Sequence, residues 1–324
     1  MLAEGLTRRW GDKVALDHLD LAVPRGVVFG LLGPNGAGKT TCVRILTTLL
    51  RPTGGRAVVG GHDVVAEPRA ARHRIGLTGQ EPAVDEILSA RRNLEMFGRL
   101  FHLDARRARH RAGELLERFG LTEAADRAPG TFSGGMRRRL DLAASMILAP
   151  EVLFLDEPTT GLDPRGRMEV WEAIRELARA GTTVLLTTHY LDEADRLSDR
   201  IALVDNGRKV VEDTPIGLKR AIGGDRIEVV AREPADLPAV AAVLARVADA
   251  AAPVVEEHEL RVHASVRDRI AALTEVTREL HARGTEVEDI GLRRPTLDEV
   301  FLRVTGSSAV SVVPTRTATE EVGR

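Results

Sequence analysis

Val27-Val28-Phe29-Gly30-Leu31-Leu32-Gly33-Pro34-Asn35-Gly36-Ala37-Gly38-Lys39-Thr40 decides the fold of this chain. An apolar run, Val27 to Leu32, ends in a glycine-rich loop and passes into a segment, Thr40 to Leu50, with Val43, Leu46 and Leu50 on one helical face. An apolar run without alternation is a strand covered on both faces, as parallel sheets are. The same texture returns at Val152 to Leu155, at the amphipathic stretch Glu169 to Ala180 and at Thr183 to Leu186. Buried strands alternating with helices predict an α/β layer with a largely parallel core sheet.

Gly33 to Thr40 fits G-x-x-x-x-G-K-[ST] between a strand and a helix, the context in which that pattern forms a phosphate-binding loop. Glycines let backbone N–H groups approach phosphate oxygens with no Cβ in the way. The positive end of the following helix favours an anion. Lys39 adds a point charge for the terminal phosphates, and the hydroxyl of Thr40 can ligate Mg²⁺. A second site signal is Val152-Leu153-Phe154-Leu155-Asp156-Glu157, an apolar strand ending in two acids. Carboxylates at the carboxyl end of a core strand mark a ligand crevice. Asp156 is placed to hold Mg²⁺ and Glu157 to polarise an attacking water as general base. Together they indicate a nucleoside triphosphatase.

Outward from this core the texture changes twice. From about 81 to 149 strand signals vanish and Arg, Ala, Leu and Glu dominate, which predicts a helical insertion. Its run from Arg106 to Arg111 reads as a solvated helix face. After about Lys219 the pattern predicts a strand at Ile227 to Val230, a helix at Leu237 to Val247 and a hairpin around Glu256 to His258. A helix at Arg269 to Arg283, a strand near Val287 to Gly291 and a last helix at Leu297 to Val304 follow. That order matches a small β-α-β-β-α-β unit. The division expected is 1–218, with its helical part at 81–149, then an α+β unit at 219–305 and a disordered tail at 306–324.

With 43% hydrophobic residues the 324-residue chain can build two packed cores. A net charge of -2 gives no reason to expect a nucleic-acid surface. The 46 basic residues include only Lys13, Lys39, Lys209 and Lys219 as lysines, an arginine bias read as GC-rich coding and not as a binding signal. Cys42 has no partner for an internal disulfide. The longest apolar stretch, Leu142 to Leu155, is broken by Ser145, Pro150 and Glu151, too short for a spanning helix. Glu4, Arg8, Arg9 and Asp12 leave no signal-peptide core. The expectation is a cytoplasmic protein that reaches a membrane only through a partner.

Phe132-Ser133-Gly134-Gly135-Met136, just before a helix in the insertion, resembles the signature loop of the ATP-binding-cassette (ABC) ATPases, usually written LSGGQ. Phe stands for Leu and Met for Gln, which removes the polar group of the last position; the Ser-Gly-Gly core is intact. Further elements follow the family's order. Gln80 resembles the Q-loop glutamine, Thr160-Gly161-Leu162-Asp163-Pro164 the D-loop, and His189 the switch histidine. Trp10 lies where the family stacks an aromatic on adenine. Thr296-Leu297-Asp298-Glu299-Val300-Phe301 and the stretch Ser133 to Ala144 resemble the daunorubicin-resistance type of exporter ATPase.

The resemblance implies a P-loop NTPase cassette, a RecA-like core sheet plus a helical subdomain, with a small C-terminal α+β domain. It implies ATP and Mg²⁺ as cofactors. Glu157, His189 and Gln80 would be catalytic. Thr40, Gln80 and Asp156 would hold the metal. Trp10, Gly33, Pro34, Asn35, Gly36, Ala37, Gly38, Lys39, Thr40, Thr41, Ser133, Gly134, Gly135 and Asp163 would bind nucleotide. A single P-loop and a single signature loop call for a second copy of the chain, the two closing on ATP. The implied partner is an ABC-2 type transmembrane permease, with membrane contact through it, a peripheral place on the inner face of the cell membrane, and no nucleic acid. The implied work is efflux of a drug-like or antibiotic compound, with lipid or polysaccharide export, or a soluble role in translation or DNA repair, as alternatives. The family's opening strand usually starts earlier than Met1 allows, so the sheet edge near Leu2 to Leu6 is expected to be short.

Overall fold

The structure, a computed structural model, describes residues 1–221, 225–249, 252–293 and 295–306, with the side chains of 305 and 306 excepted. The chain opens with β1 (Leu2–Trp10), β2 (Lys13–Ala22) and β3 (Val28–Leu32), followed by α1 (Lys39–Leu46), β4 (Gly54–Val59) and the short β5 (His62–Asp63). The helix α2 (Pro68–Arg74) leads into β6 (Ile75–Thr78). No strand interrupts the next stretch, which holds α3 (Ala90–Leu100), α4 (Ala105–Arg118) and α5 (Gly134–Ser145). The core then resumes with β7 (Val152–Asp156), α6 (Pro164–Arg179), β8 (Thr183–Thr188), α7 (Leu191–Leu197), β9 (Arg200–Asp205), β10 (Arg208–Asp213) and α8 (Pro215–Ala221). The C-terminal part is β11 (Arg226–Ala231), α9 (Leu237–Val247), β12 (Val254–Glu256), β13 (Arg261–Ser265), α10 (Arg269–Ala282), β14 (Val287–Arg293) and α11 (Leu297–Gly306).

The central sheet has the order β10-β9-β3-β8-β7-β6, parallel except for the β10 edge. Every residue of β3, β7 and β8 is buried, which is why their sequences show no alternation. Phe29, Leu31, Phe154 and Leu185 face a cluster shared with α1 and an antiparallel sheet of order β2-β1-β4-β5. Leu153, Leu155, Val184 and Leu186 face the opposite cluster, which runs on into α5, α6 and the helical segment. The C-terminal strands form a separate antiparallel sheet, β12-β13-β11-β14, backed by Val240, Val243, Leu244 and Val276 of α9 and α10.

Three expectations are corrected. The helix read as Thr40 to Leu50 ends at Leu46, because the Thr47 hydroxyl donates back to the carbonyl of Val43 (2.8 Å) and Thr48 turns to φ 65°. The N–H groups of Leu49 and Leu50 both return to the Arg44 carbonyl. The helix read as Glu169 to Ala180 starts at Pro164, capped by Asp163, whose carboxylate accepts from the N–H of Gly166 at 2.9 Å. The strand expected to be short, β1, is nine residues long and paired on both sides, with β2 and β4. Leu218, in α8, packs with Leu297 and Val300. The tail expected to be disordered lies outside the described residues from 307 on.

That last contact gives α11 a role its sequence position conceals. It leaves the C-terminal sheet and packs Leu297 and Val300 against Leu32, Ala194, Ile201 and Leu218 of the preceding α/β part. An ion pair from Arg226 to Glu299 (2.6 Å) ties it back to β11. Each buried aliphatic side chain is worth about 1.5–3 kcal/mol. Truncation before Thr296 is therefore expected to lower the melting temperature by roughly 5 °C or more, while the affinity for fluorescent ATP stays near the parent's. A loss of nucleotide affinity as large as that of Lys39→Ala would contradict this placement.

Candidate nucleotide site

Three neighbouring parallel strands, β3, β8 and β7, deliver the site. Leu32 is in register with Thr188, and Asp156 with Thr187. The loops after all three strands therefore emerge at one edge of the sheet, the carboxyl edge, where ligand crevices form in such folds. There a cleft of about 550 Å³ is lined by Trp10, Lys13, Ala15, Asn35, Gly36, Gly38, Lys39, Thr40, Thr41, Gln80 and Glu157. Gly33, Pro34 and Ala37 complete the loop beneath it.

The loop's glycines answer to local sterics. Gly38 sits at φ 105°, and a Cβ there would collide with the Ala15 carbonyl. A Cβ on Gly33 would strike the Val204 carbonyl. Lys39 opens α1 and is 5% exposed, its ammonium donating to the carbonyls of Gly33 (2.7 Å) and Pro34 (3.0 Å). Burial holds its pKa below the ordinary lysine range, with the charges of Glu157 and Asp156 working the other way. The first N–H groups of α1 have no intrahelical partner and face the loop side, as an anion site requires.

Asp156 is buried at the end of β7. One of its oxygens accepts from the hydroxyls of Thr187 (2.5 Å) and Thr40 (3.4 Å). Glu157 follows at φ 52°, a conformation that costs a non-glycine residue about 1–3 kcal/mol. Its N–H is held by the hydroxyl and the carbonyl of Thr187, both at 3.1 Å. Its carboxylate lies 3.2 Å from His189 Nδ1 and accepts from the Thr160 hydroxyl at 3.3 Å. The strained backbone turns the carboxylate out of the strand, and Thr187 fixes the turn.

The oxygens of Thr40 and Asp156 suit a hard divalent cation such as Mg²⁺, which keeps several waters and takes the rest of its shell from phosphates. Among the described residues no group of three or more His, Cys, Asp or Glu could hold a metal unaided. An ion at this cleft thus depends on a phosphate-bearing ligand. Gln80, exposed just beyond β6, borders the same space.

Not every expected residue joins this cleft. Ser133 caps α5, its hydroxyl accepting from the N–H of Met136 (3.2 Å), and Ser133 and Gly134 are exposed away from the cleft walls. Gly135 packs on Gly166, beside the cap Asp163, so the loops at 133–135 and 160–163 adjoin each other and not Lys39. Trp10 is 46% exposed, with the Arg8 guanidinium 4.8 Å from its ring centroid. Residue-by-residue reading gave no site role to Thr187, Thr160 or Arg138. Thr187 did carry a signal, a hydroxyl near the carboxyl end of a strand buried throughout.

Known proteins resemble this chain. A family described as "ABC transporter" matches residues 16–160, and one described as "ATP-binding protein DrrA1-3-like, C-terminal domain" matches 214–305. The chain is 66% identical to the daunorubicin resistance ATP-binding protein DrrA2 of Streptomyces coeruleorubidus, over 94% of each chain. It is 42% identical to the Nod factor export ATP-binding protein I of Ralstonia nicotianae, over 94% of this chain and 92% of that one. A solved ATP-binding cassette, dimeric in a post-hydrolysis state with ADP and Pi, superposes with a TM-score of 0.59 at 25% identity, over 66% of this chain and 97% of that one. With cleft, strand order and both family matches in agreement, the chain belongs to the ABC transporter ATP-binding proteins, with a DrrA-like C-terminal domain.

Proposed function

We propose that this chain powers the efflux of a drug-like or antibiotic compound through a separate transmembrane permease of ABC-2 type. The observation that carries the reading is the split site. Lys39, Thr40, Asp156, Glu157 and His189 gather around one cleft, while Ser133 to Gly135 stand outside it. A second copy related by a two-fold axis would bring its Ser133-Gly134-Gly135 over this chain's ATP. In this reading Trp10 stacks on adenine. The 33–41 loop cradles the phosphates, and Thr40, Asp156 and Gln80 hold Mg²⁺. The metal, when bound, neutralises charge on the phosphate oxygens. Glu157 takes the proton of the attacking water, and His189, 3.2 Å away, orients that carboxylate. Asp163 acts across the dimer interface next to the neighbouring Ser133 loop.

The cassette comprises 1–218 and the accessory unit 219–305, with α11 strapping one to the other. The permease seat is a groove of about 240 Å³ between the core and the helical segment, bordered by Leu49, Ile75, Leu77, Phe97, Phe101 and Leu148. Leu49 and Phe101 are 65% and 47% exposed, a cost that an apolar partner helix would remove. No helix among the described residues is long and apolar enough to cross a membrane, so the channel is assigned to that partner. The chain would then sit at the cytoplasmic face through it. Drug export is preferred to Nod-factor-like export because the drug-resistance relative is 66% identical against 42%.

The test is affinity capture of the tagged chain from detergent-solubilised native membranes, followed by anthracycline accumulation in cells with and without the captured permease. A polytopic membrane protein in stoichiometric amount, together with reduced accumulation, is the expected result. Capture of ribosomal or DNA-bound proteins alone would overturn the transport reading. A permease that leaves drug levels unchanged would move the cargo to another class.

A further inference from the structure

Arg138 lies on α5, five residues beyond Ser133, and is 5% exposed. Its guanidinium donates from Nε to the Pro158 carbonyl (2.8 Å), from Nη1 to the Gly79 carbonyl (2.7 Å), and from Nη2 to the carbonyls of Asp156 and Glu157 (both 3.4 Å). Nη1 also meets Asp141 Oδ2 at 3.3 Å, one helical turn on. Asp141 is 3% exposed, and its other oxygen accepts from the N–H of Ala83 (2.8 Å). Two side chains of one helix thus hold the segment carrying Gln80 from both ends, at Gly79 and at Ala83. The same arginine holds three successive carbonyls around Glu157.

Burial opposes both charges, raising the Asp141 pKa and lowering that of Arg138, while each partner's charge acts in the other direction. An apolar pair of similar volume would often serve stability as well or better. What an apolar pair lacks is a rigid fork of donors that can fix several carbonyls at once.

We propose that Arg138, seated by Asp141, is a positioning residue for hydrolysis. It locks the Gln80 loop and the backbone of Glu157 to the helix that begins with Ser133-Gly134-Gly135. The proposal rests on the preceding assignment of Glu157 as base and of the Ser133 loop as reader of the other copy's ATP. Under it, the first turn of α5 senses one ATP and the second turn holds the carboxylate that hydrolyses the other. The two sites of the dimer are then mechanically joined through α5. Asp141 and Ala83 also border the apolar groove assigned to the permease, so the clamp stands between that seat and Glu157.

The experiment uses the full-length chain carrying Arg138→Gln, Arg138→Lys or Asp141→Asn. Measured quantities are fluorescent-ATP affinity, melting temperature, KM, kcat and the Hill coefficient for Mg-ATP. Misplacement of the catalytic loop by a fraction of an ångström to 1 Å predicts a fall in kcat of up to about 100-fold in Arg138→Gln. ATP affinity and KM stay near parental values, the Hill coefficient drops towards that of independent sites, and Arg138→Lys recovers part of kcat. Parental kcat and Hill coefficient in both arginine variants would overturn the proposal. So would a loss of ATP affinity and melting temperature in step with kcat, the mark of a merely structural residue. Glu157→Gln alone, tested for ATP-dependent dimerisation, separates the two levels. If it stays monomeric the two-copy reading fails, whereas the split between kcat and KM still decides whether Arg138 positions Glu157.

Discussion

Glu157→Gln is expected to reduce ATP turnover by about a thousandfold, within the range by which a positioned general base contributes, and to trap two chains around bound ATP. The substitution keeps the size of the side chain, the acceptor for the Thr160 hydroxyl and the φ 52° backbone held by Thr187, so the cleft should be undisturbed. What it removes is the charge that can take a proton from water beside His189. It also removes a negative charge from a cleft that must admit the phosphates of ATP when two copies close. Both changes favour the closed, unhydrolysed state. Light scattering after size-exclusion chromatography, with Mg-ATP present, should give a doubled mass for the variant. A variant that remains monomeric under those conditions would show that the Ser133 loop does not act across a dimer.

The elements that were legible in the sequence are those whose causes are local. An apolar run without alternation meant a strand covered on both faces, and β3, β7 and β8 are buried throughout. The expected helix at Leu237 to Val247 has those bounds as α9, because Pro238 near its start and the apolar spacing behind it set both ends. The turn at 33–38 was legible because backbone packed beside it tolerates only glycine at Gly33 and Gly38. The start of α6 could have been read from Asp163-Pro164, a cap followed by proline at the first turn. Other features were hidden because their causes lie far apart in the chain. Arg138 lay in the stretch Ser133 to Ala144, read only for its family resemblance, yet its partners are Gly79, 59 positions away, and the loop after β7. Thr187 reaches Asp156 across 31 positions. Nothing in Thr296 to Phe301 announces that Leu297 and Val300 pack on the helix after His189 and not on the sheet beside them in sequence. Periodicity reports which face of an element is buried. It does not report against what.

Lys39→Ala is expected to abolish turnover and most nucleotide affinity while leaving the fold in place. The side chain supplies the ammonium nearest the phosphate loop, buried where Coulomb attraction is screened far less than in water. Alanine retains the helix-opening position and is the better helix former, so α1 should persist. The carbonyls of Gly33 and Pro34 lose their donor, and the carboxylates of Asp156 and Glu157 lose an opposing charge, which leaves the cleft more negative and still less hospitable to triphosphate. Thermal shift separates these effects cleanly. A ligand at 100 times its Kd stabilises the native state by about 2.7 kcal/mol. The parent chain should therefore show a clear rise in melting temperature with Mg-ATP, and Lys39→Ala almost none, from a nearly unchanged starting point without nucleotide. A parental rise together with normal hydrolysis would mean that the loop's N–H groups suffice without the ammonium. The 33–40 loop would then no longer explain why a buried lysine is kept there against its own desolvation.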